Sequence, residues 1–307
     1  MLPRPGGPQF QKPKKNPVTF GWLALIYALT AAYLVAGTAA FVLWRNTGNE
    51  FWVNTLFRAG SSVLLVFLAA LQFWLSARVC GQFASDDALR RAWLIIAASA
   101  GFDFVASLVV QAPGLAAGLG FLVRSPAWPG MTPGALRSIG LVVGGTCRFA
   151  LLAGGLLLVL RVYRRSGFLG RPSPLDWLLL GLLAAYIGRE AWDTAREIRR
   201  GAAVSAPEVL TWPVDPLLLA LLAEGMLLAR SVQGMGMSAV GRVWQAFSTG
   251  IFLVSLGDVG LWAEAYSYLR WPYTAAIWYI WVPASAAFAL APAYQLKAMR
   301  EAGQGES

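Results

Sequence analysis

Four ionisable residues stand inside apolar stretches of this 307-residue chain: Asp103, Arg148, Glu224 and Asp258. A charged side chain at the centre of a bilayer costs about 2.5 to 3.5 kcal/mol on insertion scales, so each needs a partner, water or a chemical task. Asp103 and Asp258 held close together would make a two-carboxylate site, because like charges separate their proton affinities and let one acid donate while the other accepts. All four along one hydrated cavity would make a proton or ion path. The plainer expectation is that Arg148 neutralises Asp103 or Asp258 across a helix interface and fixes the packing. Glu224, in the run LLALLAEGMLLAR, is the one central charge of its stretch. It is expected to face a neighbouring helix, with proton coupling as the sharper alternative. None of these residues is assigned a catalytic role from the sequence.

The chain has no histidine. Bis-histidine haem, histidine zinc sites and Ser-His-Asp hydrolysis lose the imidazole they require. Cys80 and Cys147 are the two cysteines, one beside a basic loop and one in mid-span, so neither a disulfide nor metal ligation by the pair is expected. No metal and no cofactor is therefore predicted. There is no glycine-rich phosphate loop and no aromatic-basic stripe outside the apolar runs, which removes nucleotide-driven and nucleic-acid functions.

Gly101-Phe102-Asp103, Leu256-Gly257-Asp258 and Ala289-Leu290-Ala291-Pro292 faintly resemble the Tyr-Asp, Gly-x-Gly-Asp and Pro-Ala-Leu motifs of intramembrane aspartyl proteases. The departures are that Phe102 replaces the tyrosine, Ser255 replaces the first glycine and no Pro-Ala-Leu occurs. The resemblance implies, as a third reading, an aspartate-dependent enzyme within the membrane.

The elements that must position these residues are apolar windows at 19–44, 51–78, 92–112, 138–161, 174–198, 214–230, 243–268 and 272–296. Windows near the bilayer length of about 20 residues predict an all-α, polytopic transmembrane helical bundle of about eight spans. The composition agrees: 57% apolar, 13% charged, and 14 Trp, among them Trp22, Trp44, Trp52, Trp93, Trp177 and Trp271 at span ends where indole favours the headgroup zone. The net charge of +10 reads as loop charge that sets orientation. With the N-terminus inside, about 15 basic residues fall on the cytoplasmic side and about 9 outside, which predicts a multi-pass cell-membrane protein with both termini cytoplasmic. Short loops and an Ala/Gly/Leu/Arg-rich composition favour a bacterial inner membrane. The exception is GREAWDTAREIRR at 188–200, whose alternating acids and arginines predict a solvated extension of the fifth helix.

Gly140 and Gly144 give the fourth span a small-residue face for helix packing, within the bundle or across a homo-oligomer. The stretch 114–123 is short and glycine-rich: a re-entrant turn, an interfacial piece or a continuation of the third helix. Pro283 and Pro292 are expected to bend the last helix.

A weak repeat gives the organisation. Arg78, Arg90, Trp93 and Asp103 recur in order as Arg230, Arg242, Trp244 and Asp258, four spans later and so in the same orientation. The expected domains are a disordered cytoplasmic tail at 1–17, a bundle at 18–298 with candidate repeat units 51–165 and 213–298, and a short tail at 299–307. With no soluble domain predicted, the leading expectation is a non-enzymatic membrane sensing or interaction module or structural subunit. It resembles in general layout the multi-span input regions of bacterial signalling proteins, with membrane lipids and a protein partner or second copy as its partners. A transporter or channel subunit using the buried charges is the alternative.

Overall fold

The computed structural model describes residues 19–49, 60–118, 140, 142–167, 170–201, 203–204, 206–233, 238–265 and 275–304. Among them are eight long helices: α1 (Thr19–Thr47), α2 (Gly60–Cys80), α3 (Ala88–Gly118), α4 (Arg148–Arg165), α5 (Pro174–Arg199), α6 (Val214–Gln233), α7 (Ala239–Ala265) and α8 (Ala275–Gln304). A π-helical turn, Val142–Cys147, leads into α4, and a six-residue helix, Ala206–Thr211, precedes α6. The described residues contain no strand. Five segments are long and apolar enough to cross a membrane: Gly21–Thr47, Gly60–Cys80, Ala88–Ala112, Val142–Arg165 and Val209–Val232. The protein is an all-α, multi-pass membrane bundle. Its lipid contact follows from exposed side chains such as Val35, Val63 and Val105, which water would penalise and hydrocarbon does not.

Six helices close into a ring: α2 packs on α3, α3 on α4, α4 on α6, α6 on α7, α7 on α8, and α8 back on α2. The remaining two lie outside it, α1 against α8 and α2, α5 against α6. Ring helices that follow one another directly in the chain run antiparallel, while α4 and α6 run parallel: Gly145, just ahead of α4, lies against Val214 at the start of α6, and Gly170, just past α4, against Arg230 near its end. Ser62 Oγ donates to Gln111 Oε1 at 2.8 Å between α2 and α3. A Cβ at Gly250 would sit 3.2 Å from the Phe288 ring and one at Gly257 3.1 Å from Trp281, so α7 and α8 approach closely along their length. Tyr27 and Tyr294 share a hydrogen bond of 2.6 Å near one end of α1 and α8, and Tyr279 donates to Thr38 Oγ1 at 3.0 Å further along. The start of α1 and the end of α8 therefore lie at the same end of the bundle.

The ring's interior at that end is aromatic. Trp93 of α3 stands 6.2 Å from Trp244 of α7, which stacks on Phe247 at 5.7 Å, and Phe247 meets Phe288 of α8 at 6.2 Å. The Trp244 indole N–H donates to the Tyr163 hydroxyl, so the polar handle of a buried ring is satisfied.

Several boundaries differ from the sequence reading. α3 continues to Gly118, through the first half of the ambiguous 114–123 stretch; residues 119–123 lie outside the described ones. α8 carries both Pro283 and Pro292 and runs to Gln304, past the expected start of a tail at 299, because Lys297 and Glu301 pair across one turn at 3.7 Å and no breaker stands between 293 and 302. The 1–17 tail is outside the described residues. The charged stretch at 188–200 is the end of α5, with Arg189 and Asp193 3.7 Å apart.

Candidate functional site

Arg148 follows the π-helical turn directly, where the widened turn resets the facing of α4. Its Nη1 lies 2.9 Å from Asp103 Oδ1 of α3, both side chains about nine-tenths buried. The surroundings complete the pair: Ser99 Oγ donates to the Arg148 carbonyl at 2.8 Å, and the guanidinium stands 5.4 Å from the Phe149 ring and 5.2 Å from Phe288. A carboxylate and guanidinium in this geometry neutralise each other and leave little for chemistry on a third molecule. Gly140 and Gly144 explain how α3 comes so near. A Cβ at Gly140 would fall 2.6 Å from Val110 Cγ2, and one at Gly144 2.7 Å from Ala106 Cβ.

Glu224 is placed separately. It is buried in α6, and its Oε2 has no hydrogen-bond partner among the described residues. Beside it Ser248 of α7 donates to the Gly225 carbonyl at 2.7 Å, which locks the two helices at that level.

Asp258 does not join Asp103. It lines a small notch with Asp215 of α6, Tyr186 of α5 and Ser255 of α7. Tyr186 and Ser255 are shared with a larger apolar groove of about 270 Å3 between the same three helices, lined by Leu182, Met226, Phe252 and Leu256 among others. Among the described residues α5 packs on the ring mainly through α6, leaving Leu182, Phe252 and Leu256 exposed along the groove. The arrangement is an amphiphile-shaped cleft, carboxylates at one end and hydrocarbon along the rest. The four residues singled out from sequence thus divide into a satisfied pair, a separate buried acid and one acid in a cleft.

Asp215 and Tyr186 were not singled out from sequence. In Pro213-Val214-Asp215-Pro216 the acid reads as an ordinary first-turn residue facing the helix dipole, and only the approach of α7 gives it a second role. Among the described residues no group of three or more histidines, cysteines or acids is placed to hold a metal ion.

No family model matches the chain, and no solved structure matches it. It is similar to a phospho-N-acetylmuramoyl-pentapeptide-transferase of Corynebacterium aurimucosum, 28% identical over 272 residues, covering 84% of this chain and 64% of that protein. The chain thus spans somewhat under two thirds of the length of the curated relative it matches. This similarity overturns the expectation of a non-enzymatic sensing module or structural subunit, and with it the transporter alternative, since the protein it resembles is named as a transferase. The physical reason for the misreading is that apolar composition reports the solvent of the fold and not its chemistry. The lack of histidine removes imidazole mechanisms but leaves carboxylate-assisted transfer open.

Proposed function

We propose that this protein is a multi-pass membrane enzyme that transfers a phosphate-linked group to an amphiphilic acceptor, which lies in the groove between α5, α6 and α7 with its reacting end at Asp215 and Asp258. The observation that carries the reading is the similarity, extending over 84% of the chain, to a protein named for transferring phospho-N-acetylmuramoyl-pentapeptide. The groove supports it: an acceptor that lives in the bilayer needs a hydrocarbon-lined entry and a polar end, and this cleft has both. In the reaction an acceptor hydroxyl oxygen forms a bond to phosphorus and the bond from phosphorus to the leaving group breaks. One of the two carboxylates takes the hydroxyl proton, the part a positioned base plays. Asp258 is the better placed, since it sits beside Ser255 at the mouth of the apolar arm, while Arg148, the interior cation, is engaged by Asp103.

The setting belongs to the proposal as well. The end of the bundle where α1 starts and α8 finishes also holds Arg78, Arg90, Arg91, Arg164, Arg165 and Arg242, an excess of positive charge that favours the cytoplasmic side of a bacterial membrane. The Asp215–Asp258 notch then faces the opposite side.

The test is direct. Membranes containing the protein, supplied with a donor of labelled phospho-N-acetylmuramoyl-pentapeptide, are expected to move label into the lipid-extractable fraction. Asp258→Asn should slow this by about a hundredfold, within the range for loss of a general base. Label transfer no greater than in membranes lacking the protein rejects the assignment.

A further inference from the structure

We propose that the end of the bundle where α2 and α8 finish holds an anionic phospholipid, its phosphodiester between Arg78 and Arg300 and one acyl chain along the outer face of α2. The site lies on other helices than the groove between α5, α6 and α7 and stands independently of the transfer reaction proposed above.

Four observations support it. First, two like charges meet there without an acid between them. α8 packs on α2, and Arg300 is close enough to Arg78 to feel its charge. Neither guanidinium forms an ion pair among the described residues; Glu301, next to Arg300 in the chain, engages Lys297 at 3.7 Å, and Asp87, in the loop after α2, accepts from the Leu89 amide at 2.8 Å. Second, the flanking sequence adds charge of the same sign. The residues leading into α1 carry Arg4, Lys12, Lys14 and Lys15 and no acid, and those after α8 carry Glu306 alone. Arg78 lies in the last turn of α2, whose free carbonyls offset about half a unit of charge, while Arg300 stands more than a turn from the end of α8. The two together keep more than one positive charge, enough to hold a phosphodiester that carries no amine of its own. Third, the pair has an aromatic platform at headgroup depth. The Arg78 guanidinium lies 4.1 Å above the Trp74 ring, and Trp74 meets Trp22 of α1 edge-on at 5.3 Å. Fourth, an apolar track leads away from it. Val63, Phe67, Trp74 and Arg78 are exposed and recur at helical spacing, so they form one stripe along α2, which α1 leaves open because it packs more extensively on α8. From Phe67 to Arg78 the stripe runs about 16 Å at 1.5 Å per residue, close to half of the hydrocarbon thickness of about 30 Å. A phosphate at the guanidiniums and an acyl chain along the stripe fill both parts at once.

The experiment uses the full chain in phosphatidylcholine nanodiscs and two photoreactive lipids with the same diazirine-bearing acyl chain, one a phosphatidylglycerol and one a phosphatidylcholine. Labelled residues are mapped by mass spectrometry. The phosphatidylglycerol is expected to label Val63 or Phe67 about tenfold more than the phosphatidylcholine, the weight of two well-placed arginines. The variant carrying both Arg78→Gln and Arg300→Gln should lose that preference. The variant carrying both Arg164→Gln and Arg165→Gln, which removes the same charge from the exposed end of α4, should keep it. Should the first variant fail to fold, competition on the native chain decides: excess unlabelled phosphatidylglycerol is expected to displace the probe, and excess phosphatidylcholine or glycerol 3-phosphate is not. Equal labelling by the two probes, a preference that survives Arg78→Gln with Arg300→Gln, or equal displacement by the two unlabelled lipids overturns the inference. A preference lost equally in both variants would assign it to diffuse surface charge, and displacement by glycerol 3-phosphate would assign the guanidiniums to a free phosphate ester; either also overturns it. None of these outcomes depends on group transfer.

Discussion

A buried ion pair tells more about specificity than about strength, and Asp103–Arg148 is such a pair. Its Coulombic gain competes with the cost of removing both charges from water, so its net worth is small, yet removing one partner leaves the other stranded in hydrocarbon at a cost of about 3 to 5 kcal/mol. Arg148→Ala is therefore expected to destabilise the protein by about that much, and Arg148→Ala with Asp103→Ala to recover most of the loss. Thermal unfolding in detergent of the two single variants and the double measures the coupling; additive losses would show that the contact carries no energy. The sequence narrows Arg148 to two acids and stops there. Asp103 and Asp258 follow equivalent tryptophans at 10 and 14 residues, and only the π-helical turn ahead of Arg148 and the bare Gly140 and Gly144 bring α3 within reach. The cleft was hidden for a similar reason, because Asp215 gains its meaning from a helix 43 residues further along the chain.

At the scale of elements, α5 is held to the ring by a clasp at its first turn. Ser173 is the N-cap, Asp176 returns the bond to the Ser173 amide at 2.7 Å, and Arg230 of α6 reaches both carboxylate oxygens of Asp176 at 2.9 and 3.0 Å and Ser173 Oγ at 2.7 Å. Beside it the Gly170 amide donates to Ser231 Oγ at 2.9 Å, and a Cβ on Gly170 would fall 2.5 Å from the Arg230 backbone. The guanidinium holds the Asp176 carboxyl well below the usual carboxylate range. A depressed acid stabilises the fold at pH above its unfolded value, and the contribution is lost as pH falls below about 4 toward the folded value. The stability difference between the native chain and Asp176→Asn should then be constant from about pH 5 to 8 and shrink below about pH 4. Melting curves across that range check it, and a difference that grows on acidification would contradict the clasp. The capping signature Ser-x-x-Asp after a basic loop is legible in the sequence. Its partner Arg230 is not, since nothing local says that α5 starts where α6 ends.

For the whole molecule, the ring has two seams that the chain does not join directly: α4 against α6 and α8 against α2. Each half of the sequence supplies three consecutive ring helices, α2 to α4 and α6 to α8, with α1 and α5 as outriders, and Trp93 meets Trp244 across the interior. If the period in the sequence, Arg-Arg-Trp-Asp twice, marks two similar units, they would face each other around an axis along the membrane normal, and fragment assembly tests that reading. Neither unit buries its inner face alone: Ile96, Leu152 and Leu156 of one and Leu221, Phe247 and Phe288 of the other are less than 2% exposed in the closed ring. Inside a bilayer the drive to close is packing and the aromatic contacts, not the release of water, so complementary shape at the seams has to supply it. Cutting the chain in the loop between α4 and α5 leaves both seams intact, and two co-expressed fragments, 1–168 and 169–307, are expected to assemble and co-purify through a tag on one of them. Changing Ile96 and Leu156 together to Ala should weaken that association while each fragment still inserts. Fragments that insert but never co-purify would mean that the ring depends on chain continuity, and the two-unit reading would fall with it.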